Sequence, residues 1–499
     1  MEGPIAELHT KWTRVHNKKR VKEVSILNKE RKVVALAGAS GYIGQNLINK
    51  LTQHSDIIAL SRNVETKQDT DHIEWRSCDL YSLADAEKGL EGADIAVYLV
   101  HSMMPSAKLT QGTFEDMDVI LADNFAQAAY KKGVKQIIYL SGIIPESQKE
   151  LSRHLRSRLE VEKILGAYGV PVTTIRAGLI VGPRGSSFPI LKKLVKRLPF
   201  MALPKWTKTK TQPIALPDVI GAMDKSIGNE TVENRSIDVG GPEVMTYETM
   251  MKKLARVMGR KPAAIDVPFL TIGLSKLWVR LVTGSSKEMV YPLIESLVHP
   301  MVTHSKNKVE GISEGKVTFE EAAKEALEKE ERSSSGKKRL RPVASVQHDV
   351  RSVQRIPLPQ GHSADWIGKY YVKWLEKILN PWVKTTVDDA HCCKVGIIFQ
   401  KIPLLELTYS AERSTEDRAL YYISGGSLAD SSKNVRGRLE FRKIPEKEEA
   451  IVAIHDYMPS LPWFFYKYTQ AKAHLVVMAL FRKHLEKWGT SEPSYRIHA

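Results

Sequence analysis

The sequence is poor in cysteine: Cys78, Cys392 and Cys393 are its only three in 499 residues. So few cannot staple a disulfide framework, and adjacent cysteines rarely bond to each other, so the thiols fit a reducing cytoplasm. His391 beside Cys392 and Cys393 has no second ligand cluster at a suitable spacing, which speaks for a buried strand and against a metal. Long apolar runs are missing as well. No stretch reaches the roughly 18 residues that a membrane-spanning helix needs. The nearest, Val267 to Val282, is interrupted by Lys276 and Arg280, and suits an apolar helix of a substrate region or one lying on a surface. Met1-Glu2-Gly3-Pro4 runs into polar, basic sequence without an apolar h-region, so no secretion signal is expected. A nucleic-acid-binding signature is absent too, so no nucleic acid partner is expected.

Positive charge, in contrast, is abundant. The formal net charge is +17, gathered at Lys18-Lys19-Arg20, at Lys192-Lys193 with Lys196-Arg197, and at Lys337-Lys338-Arg339. Such a surplus favours anionic partners, phosphate cofactors or acidic lipid headgroups, while solvated faces and a basic linker explain it better than a nucleic-acid site does.

The most informative stretch is Val33-Val34-Ala35-Leu36-Ala37-Gly38-Ala39-Ser40-Gly41-Tyr42-Ile43-Gly44. An apolar strand feeds a G-x-x-G-x-x-G turn, and a helical pattern follows from Gln45. Gly38 serves the tight bend, Gly41 lets backbone amides approach a pyrophosphate, and Gly44 lets the helix pack against the strand. The strand before and the helix after are the context this motif requires.

Strand-like segments follow at Ile57-Leu60, His72-Arg76, Ile95-Leu99, Gln136-Leu140 and Val172-Arg176, with helical patterns such as Phe114 to Lys131 and Leu151 to Tyr168 between them. This alternation predicts an α/β fold with a doubly wound parallel sheet, whose strand carboxyl ends hold cofactor and substrate. The expected organisation is a basic arm over 1–31, a nucleotide-binding domain over 32–331 with its substrate part from about 184, a linker over 332–364, and an α+β domain over 365–499. In that last domain, strands are expected at Arg438-Arg442 and Ala450-Ile454, and one long helix from Trp463 to Trp488.

Five motifs in order carry a family resemblance: Gly38-x-x-Gly41-x-x-Gly44, Cys78-Asp79-Leu80, Tyr139-Leu140-Ser141-Gly142, Arg176 to Arg184, and Val239-Gly240-Gly241-Pro242-Glu243. With them, residues 32 to about 330 resemble the atypical and extended short-chain dehydrogenase/reductases, the NAD(P)H-binding, epimerase/dehydratase-like group. Leu151 to Arg158 and Thr211-Gln212-Pro213-Ile214-Ala215 are similar to a bacterial subgroup with an additional C-terminal domain, here resembling a helix-grip fold around an apolar cavity. The resemblance implies that Gly38, Ser40, Gly41, Tyr42, Ile43 and Gly44 bind the cofactor, with Asp79 and Leu80 beside the adenine. Asp79 is alternatively an N-cap for the helix that contains Leu83.

The departures bear on chemistry. Where the family places a Tyr-x-x-x-Lys pair, this chain has His154 and Arg158. Arginine binds a ribose or phosphate but does not reproduce the ammonium geometry, whereas histidine titrates near 6.5 when unperturbed and is an acid or base as it stands, or else a packing residue. Ser141 stands where the family places the hydroxyl that bonds a substrate carbonyl. At the end of strand two, Ser61 and Arg62 replace the acidic residue of NAD sites, and Asp56 lies at the wrong end of the strand, so NADP(H) is expected over NAD(H). The reading is therefore an oxidoreductase for a small apolar carbonyl or enone, with Ser141, His154 and Arg158 as catalytic candidates. The alternative is a non-catalytic dinucleotide-binding or redox-sensing protein. Trp463 to Tyr466, with Lys467, Lys472, Arg482, Lys483 and Lys487, also suit peripheral contact with an anionic membrane, or else a helix packed on a sheet with snorkelling lysines.

Overall fold

The computed structural model describes residues 31–488 apart from 103–108, 147–149, 186, 198–199, 262, 268–270, 335–349, 380, 382, 398–399 and 431–435. The basic arm up to residue 30 and the Lys337-Lys338-Arg339 cluster lie outside the described residues.

The apolar run after Arg31 becomes strand β1 (Lys32–Ala37), whose last four residues are buried, as a strand covered on both faces must be. Helix α1 (Tyr42–Leu51) follows the glycine turn and buries Gly44, Leu47, Ile48 and Leu51 at helical spacing. Strands β2 (Ser55–Ser61) and β3 (Ile73–Ser77), helix α2 (Leu83–Gly89) and strand β4 (Ile95–Tyr98) come next. A three-residue strand β5 (Leu109–Gln111) precedes α3 (Phe114–Lys131), β6 (Gln136–Gly142), α4 (Arg153–Gly166) and β7 (Val172–Ala177). Ser82, Thr113 and Ser152 cap α2, α3 and α4 by accepting an amide hydrogen bond, each worth about 1 kcal/mol.

Beyond β7 lie α5 (Ser187–Arg197), α6 (Leu216–Ser226), β8 (Ser236–Val239), α7 (Tyr247–Val257), α8 (Ile272–Thr283), α9 (Lys287–Ser296) and α10 (Phe319–Ser334). The main sheet is parallel with order β8-β7-β6-β4-β1-β2-β3. Its strand order reverses between β1 and β4, and the glycine turn opens there, where Rossmann-like sheets bind ligands. Residues of α1 and α6 cover one face of this sheet, and residues of α2, α3 and α4 cover the other. The apolar stretch from Val267 yields α8, with Leu274, Leu277 and Leu281 exposed and Ser275, Val279 and Thr283 buried.

A second sheet contains β9 (Val350–Pro357), β10 (Val383–Val387), β11 (Cys393–Ile397), β12 (Leu405–Tyr409), β13 (Arg418–Gly425), β14 (Arg438–Lys443) and β15 (Glu449–Tyr457). Its order is β10-β11-β12-β13-β14-β15-β9-β5, antiparallel except for the last pair, so β5 of the first unit completes it. Alternation along β15 divides the sheet: Ile451 and Ala453 join the core built on α3, whereas Ala450 and Val452 face the other way. On that far side lie α11 (Ala364–Leu379) and α13 (Gln470–Trp488), and the rings of Tyr371, Trp374, Phe441 and Phe481 pack together where a helix-grip cavity was expected.

Several expectations need correction. Residues 350–357, read as linker, form a strand inside the second sheet. The long terminal helix is two, α12 (Trp463–Tyr468) and α13, separated at Thr469 with φ −117° and ψ −82°. Cys393 begins a strand, but the strand is not buried beyond Cys393 itself, and His391, with φ 58°, and Cys392 form the turn before it. Ser82, not Asp79, caps α2. Among the described residues no group of three or more histidine, cysteine or acidic side chains is placed to hold a metal, and no helix is long and apolar enough to cross a membrane.

Candidate functional site

Carboxyl ends of β1, β4, β6 and β7 surround a cavity of about 390 Å3. Gly38, Gly41, Tyr42, Ile43 and Gly44 form one end. Gly38 takes φ +88°, a left-handed conformation that favours glycine, and its carbonyl accepts from the Gly41 amide at 2.9 Å. A Cβ on Gly44 would stand 2.3 Å from that carbonyl oxygen, so only glycine lets α1 begin this close to the strand. Gly41 caps α1 without a side-chain hydrogen bond, which leaves the first-turn amides and the positive helix end free for an anion. This cradle fits a nucleotide pyrophosphate.

The middle of the cavity is polar. Ser141 lies at the end of β6, and His154 and Arg158 are one turn apart on α4, so the structure brings the three predicted catalytic candidates together. Ser141 Oγ and His154 Nδ1 are buried, and neither makes a hydrogen bond among the described residues. Buried polar atoms of this kind ordinarily find partners, so a ligand that meets them gains what the protein leaves open. Arg158 lines the same cavity, and its Nη1 donates to the Tyr139 hydroxyl at 3.2 Å.

Two residues that the sequence did not single out complete this region. His101, just after β4, lines the cavity, and its Nδ1 lies 3.0 Å from Asp118 Oδ2 on α3. The other Asp118 oxygen accepts from the Ser102 amide and hydroxyl. Burial alone would raise the Asp118 carboxyl, but His101, Arg158 and Ser102 outweigh it and bring it down to about 2. A carboxylate at Nδ1 fixes that nitrogen as the donor, so a neutral His101 turns an acceptor Nε2 inward, buried and unpartnered among the described residues. The His101 and His154 rings stand 5.5 Å apart.

The remaining walls are apolar, with Leu179, Leu191, Leu194, Trp206, Leu293 and Met301 among them. Ser40, Ser61, Arg62, Asp79 and Leu80 do not line this cavity. Ser40 Oγ donates to Ser61 Oγ at 2.6 Å, which joins the glycine turn to the end of β2, and Arg62 beside them is exposed. Asp56 faces Arg31 and His72 at the start of β2, as the sequence suggested. Asp79 receives the Tyr81 amide at 3.2 Å and Arg351 Nη2 at 3.3 Å, while the Arg351 guanidinium lies 3.5 Å from the Tyr81 ring centroid. Leu80 is buried in the core, and its carbonyl accepts from Asn124.

His154 does not titrate near its ordinary value. Burial first, then the charge on Arg158, pushes it well below 6.5, so the ring is neutral at neutral pH. Burial likewise depresses His101 and His455, and takes His474 to about 4. In the unfolded chain each binds a proton near 6.5, so unfolding takes up protons that the fold refuses, and stability falls as pH drops through that value. The thermal midpoint of the chain is therefore expected to decline steeply between about pH 7 and pH 5, each such histidine contributing up to about 1.4 kcal/mol per pH unit. A midpoint that stays level over that range would contradict these burials.

Residues 38–192 match the model of a family described as NAD(P)H-binding. The auxiliary protein GraX of Staphylococcus aureus is 36% identical over 145 residues, covering 28% of this chain and 42% of that protein. The chain thus spans less than half the length of that relative. The UDP-glucose 4-epimerase of Vibrio cholerae is 24% identical over 263 residues, covering 48% of this chain and 79% of the enzyme. Among solved structures, the NADPH complex of the NADPH-dependent quinone oxidoreductase QOR2 from Escherichia coli aligns with a TM-score of 0.47 and 19% identity, over 58% of this chain and 98% of that one.

Proposed function

We propose that the chain, whose residues 38–192 match a family described as NAD(P)H-binding, is an NADP(H)-dependent reductase of a small apolar carbonyl or enone. The observation that carries this reading is the cavity itself: apolar walls, a glycine cradle at one end, and two unpartnered polar atoms, Ser141 Oγ and His154 Nδ1, buried between them. The first-turn amides of α1 hold the pyrophosphate, and the exposed Arg62 guanidinium with Ser40 and Ser61 receives the 2′-phosphate. When bound, the nicotinamide supplies a hydride. Ser141 and the neutral His154 ring hydrogen-bond the substrate oxygen and hold the carbonyl in place. Burial and Arg158 leave His154 without a spare proton at neutral pH, so the proton that completes the reduction comes from water. Arg158 acts as a positioning residue, fixing Tyr139 beneath the site.

The test is direct. The full chain should bind NADPH more tightly than NADH in a fluorescence titration and oxidise NADPH with an apolar quinone or enone from a panel. Ser141→Ala should lower kcat by about 100-fold, the scale of one lost donor to a developing oxyanion, with NADPH affinity unchanged. Equal affinity for the two coenzymes would refute the NADP(H) preference, and turnover unaffected by the substitution would remove Ser141 from the chemistry. One observation favours the second reading, a non-catalytic dinucleotide sensor: His154 and Arg158 stand in place of the family's Tyr and Lys, and Arg158 Nη1 donates to the Tyr139 hydroxyl. Tight NADPH binding with no oxidation on any member of the panel would establish that alternative.

A further inference from the structure

We propose that α12 and the outward face of α13 form a docking surface for an anionic membrane. Helix α13 turns Ala471, Met478, Phe481 and Leu485 toward the second sheet. Its opposite side leaves Val476 58% exposed and Leu480 45% exposed, at a spacing of one turn. On α12, Phe464 is 69% exposed and Phe465 59% exposed, and the Phe464 ring lies 5.0 Å from that of Tyr468. Lys472, at the start of α13, stands 5.6 Å from the Tyr468 ring centroid and joins the two helices into one surface. Large exposed apolar side chains scattered singly need no explanation, but a contiguous group on adjoining helices does.

Charge selects the occupant. Lys467, Lys472 and Lys483 interleave with these rings and aliphatic side chains, and none has a carboxylate partner among the described residues. From Pro459 to Trp488 the only acidic residue is Glu486, which pairs with Arg482 at 3.0 Å. A second copy of the chain would bring the same lysines, and a net charge of +17, against this surface. Acidic lipid headgroups neutralise the lysines while the phenylalanines enter the acyl boundary, and no helix is needed that could cross the bilayer.

The experiment is co-sedimentation of the full chain with vesicles of phosphatidylcholine alone or mixed with phosphatidylglycerol, at low and high salt, with sedimentation velocity on the lipid-free protein. The wild type should partition onto the mixed vesicles at least about tenfold better than onto neutral ones and be released by salt. Phe464→Ser with Phe465→Ser, and separately Lys467→Glu with Lys472→Glu, should each cut that partitioning by at least about tenfold. Circular dichroism and the thermal midpoint of both variants should match the wild type, since the altered side chains lie outside the core. Equal binding to neutral and mixed vesicles, no binding to either, or unchanged binding of folded variants would overturn the proposal. So would a lipid-free dimer that the phenylalanine substitutions dissociate, because the surface would then be a contact between copies.

Discussion

Gly44→Ala is expected to reduce NADPH affinity by one to two orders of magnitude, about 1.4 to 2.7 kcal/mol. The added Cβ would meet the Gly38 carbonyl oxygen at 2.3 Å and both the Cα and the carbonyl oxygen of Ala39 at 3.0 Å. All three are backbone atoms, so no flexible side chain can give way. Either α1 moves off the end of β1 or the turn opens, and in both cases the first-turn amides lose their aim at the pyrophosphate. Overpacking of this kind also costs about 1–3 kcal/mol of stability. Gly221→Ala is the control: it sits inside α6 with open space where its Cβ would go, and should leave affinity unchanged. Titration of NADPH into the three proteins decides the matter. Parent-like affinity in Gly44→Ala would place the nucleotide somewhere other than this turn.

A second large effect is expected far from the cavity. Glu440 is buried in β14 and accepts from Arg418 Nε at 2.8 Å and from Arg442, while Arg442 also donates to Asp123 on α3. Burial alone would raise the Glu440 carboxyl, but Arg442 and Arg418 hold it well below the usual carboxylate range. Glu440→Ala leaves the buried Arg418 guanidinium without its counter-charge and Arg442 with Asp123 alone. Breaking a buried ion pair from one side costs about 3–5 kcal/mol. The loss should register as a lower midpoint in thermal or denaturant unfolding and as easier proteolysis between the two sheets. A cost below about 1 kcal/mol would mean that water or local rearrangement compensates the arginines.

How far the sequence disclosed this molecule depended on what each segment packs against. The central strands β1, β2 and β4 were legible because burial on both faces makes them nearly continuous apolar runs, and the glycine turn because its spacing serves one backbone geometry. Ser141, His154 and Arg158 were found through the family's spacing and do converge on one cavity. His101 and Asp118 were missed: they come from different elements, 17 residues apart, and no local pattern joins them. A titratable residue directly after a buried strand, at the carboxyl end where sites form, was the available signal. Strand β9 was missed for another reason. Its Arg351 and Arg355 are matched to acidic partners and Gln354 bonds the Gln111 carbonyl, so a buried strand reads as polar linker. The neutral state of His154 follows from burial and a neighbouring arginine, which composition does not reveal.

Strand β5 has a consequence for how the molecule can be divided. It leaves the nucleotide-binding unit to become the last strand of the other sheet, pairing Leu109 with Val350 and Gln111 with Ser352. Nearby, Arg355 reaches back to Asp116 and Glu160, and Arg442 to Asp123. Severing the chain after α10 would therefore strip three acidic side chains of their cations and strand a ribbon with nothing to pair. The two halves are stitched into one hydrogen-bonded fabric and are not beads on a string.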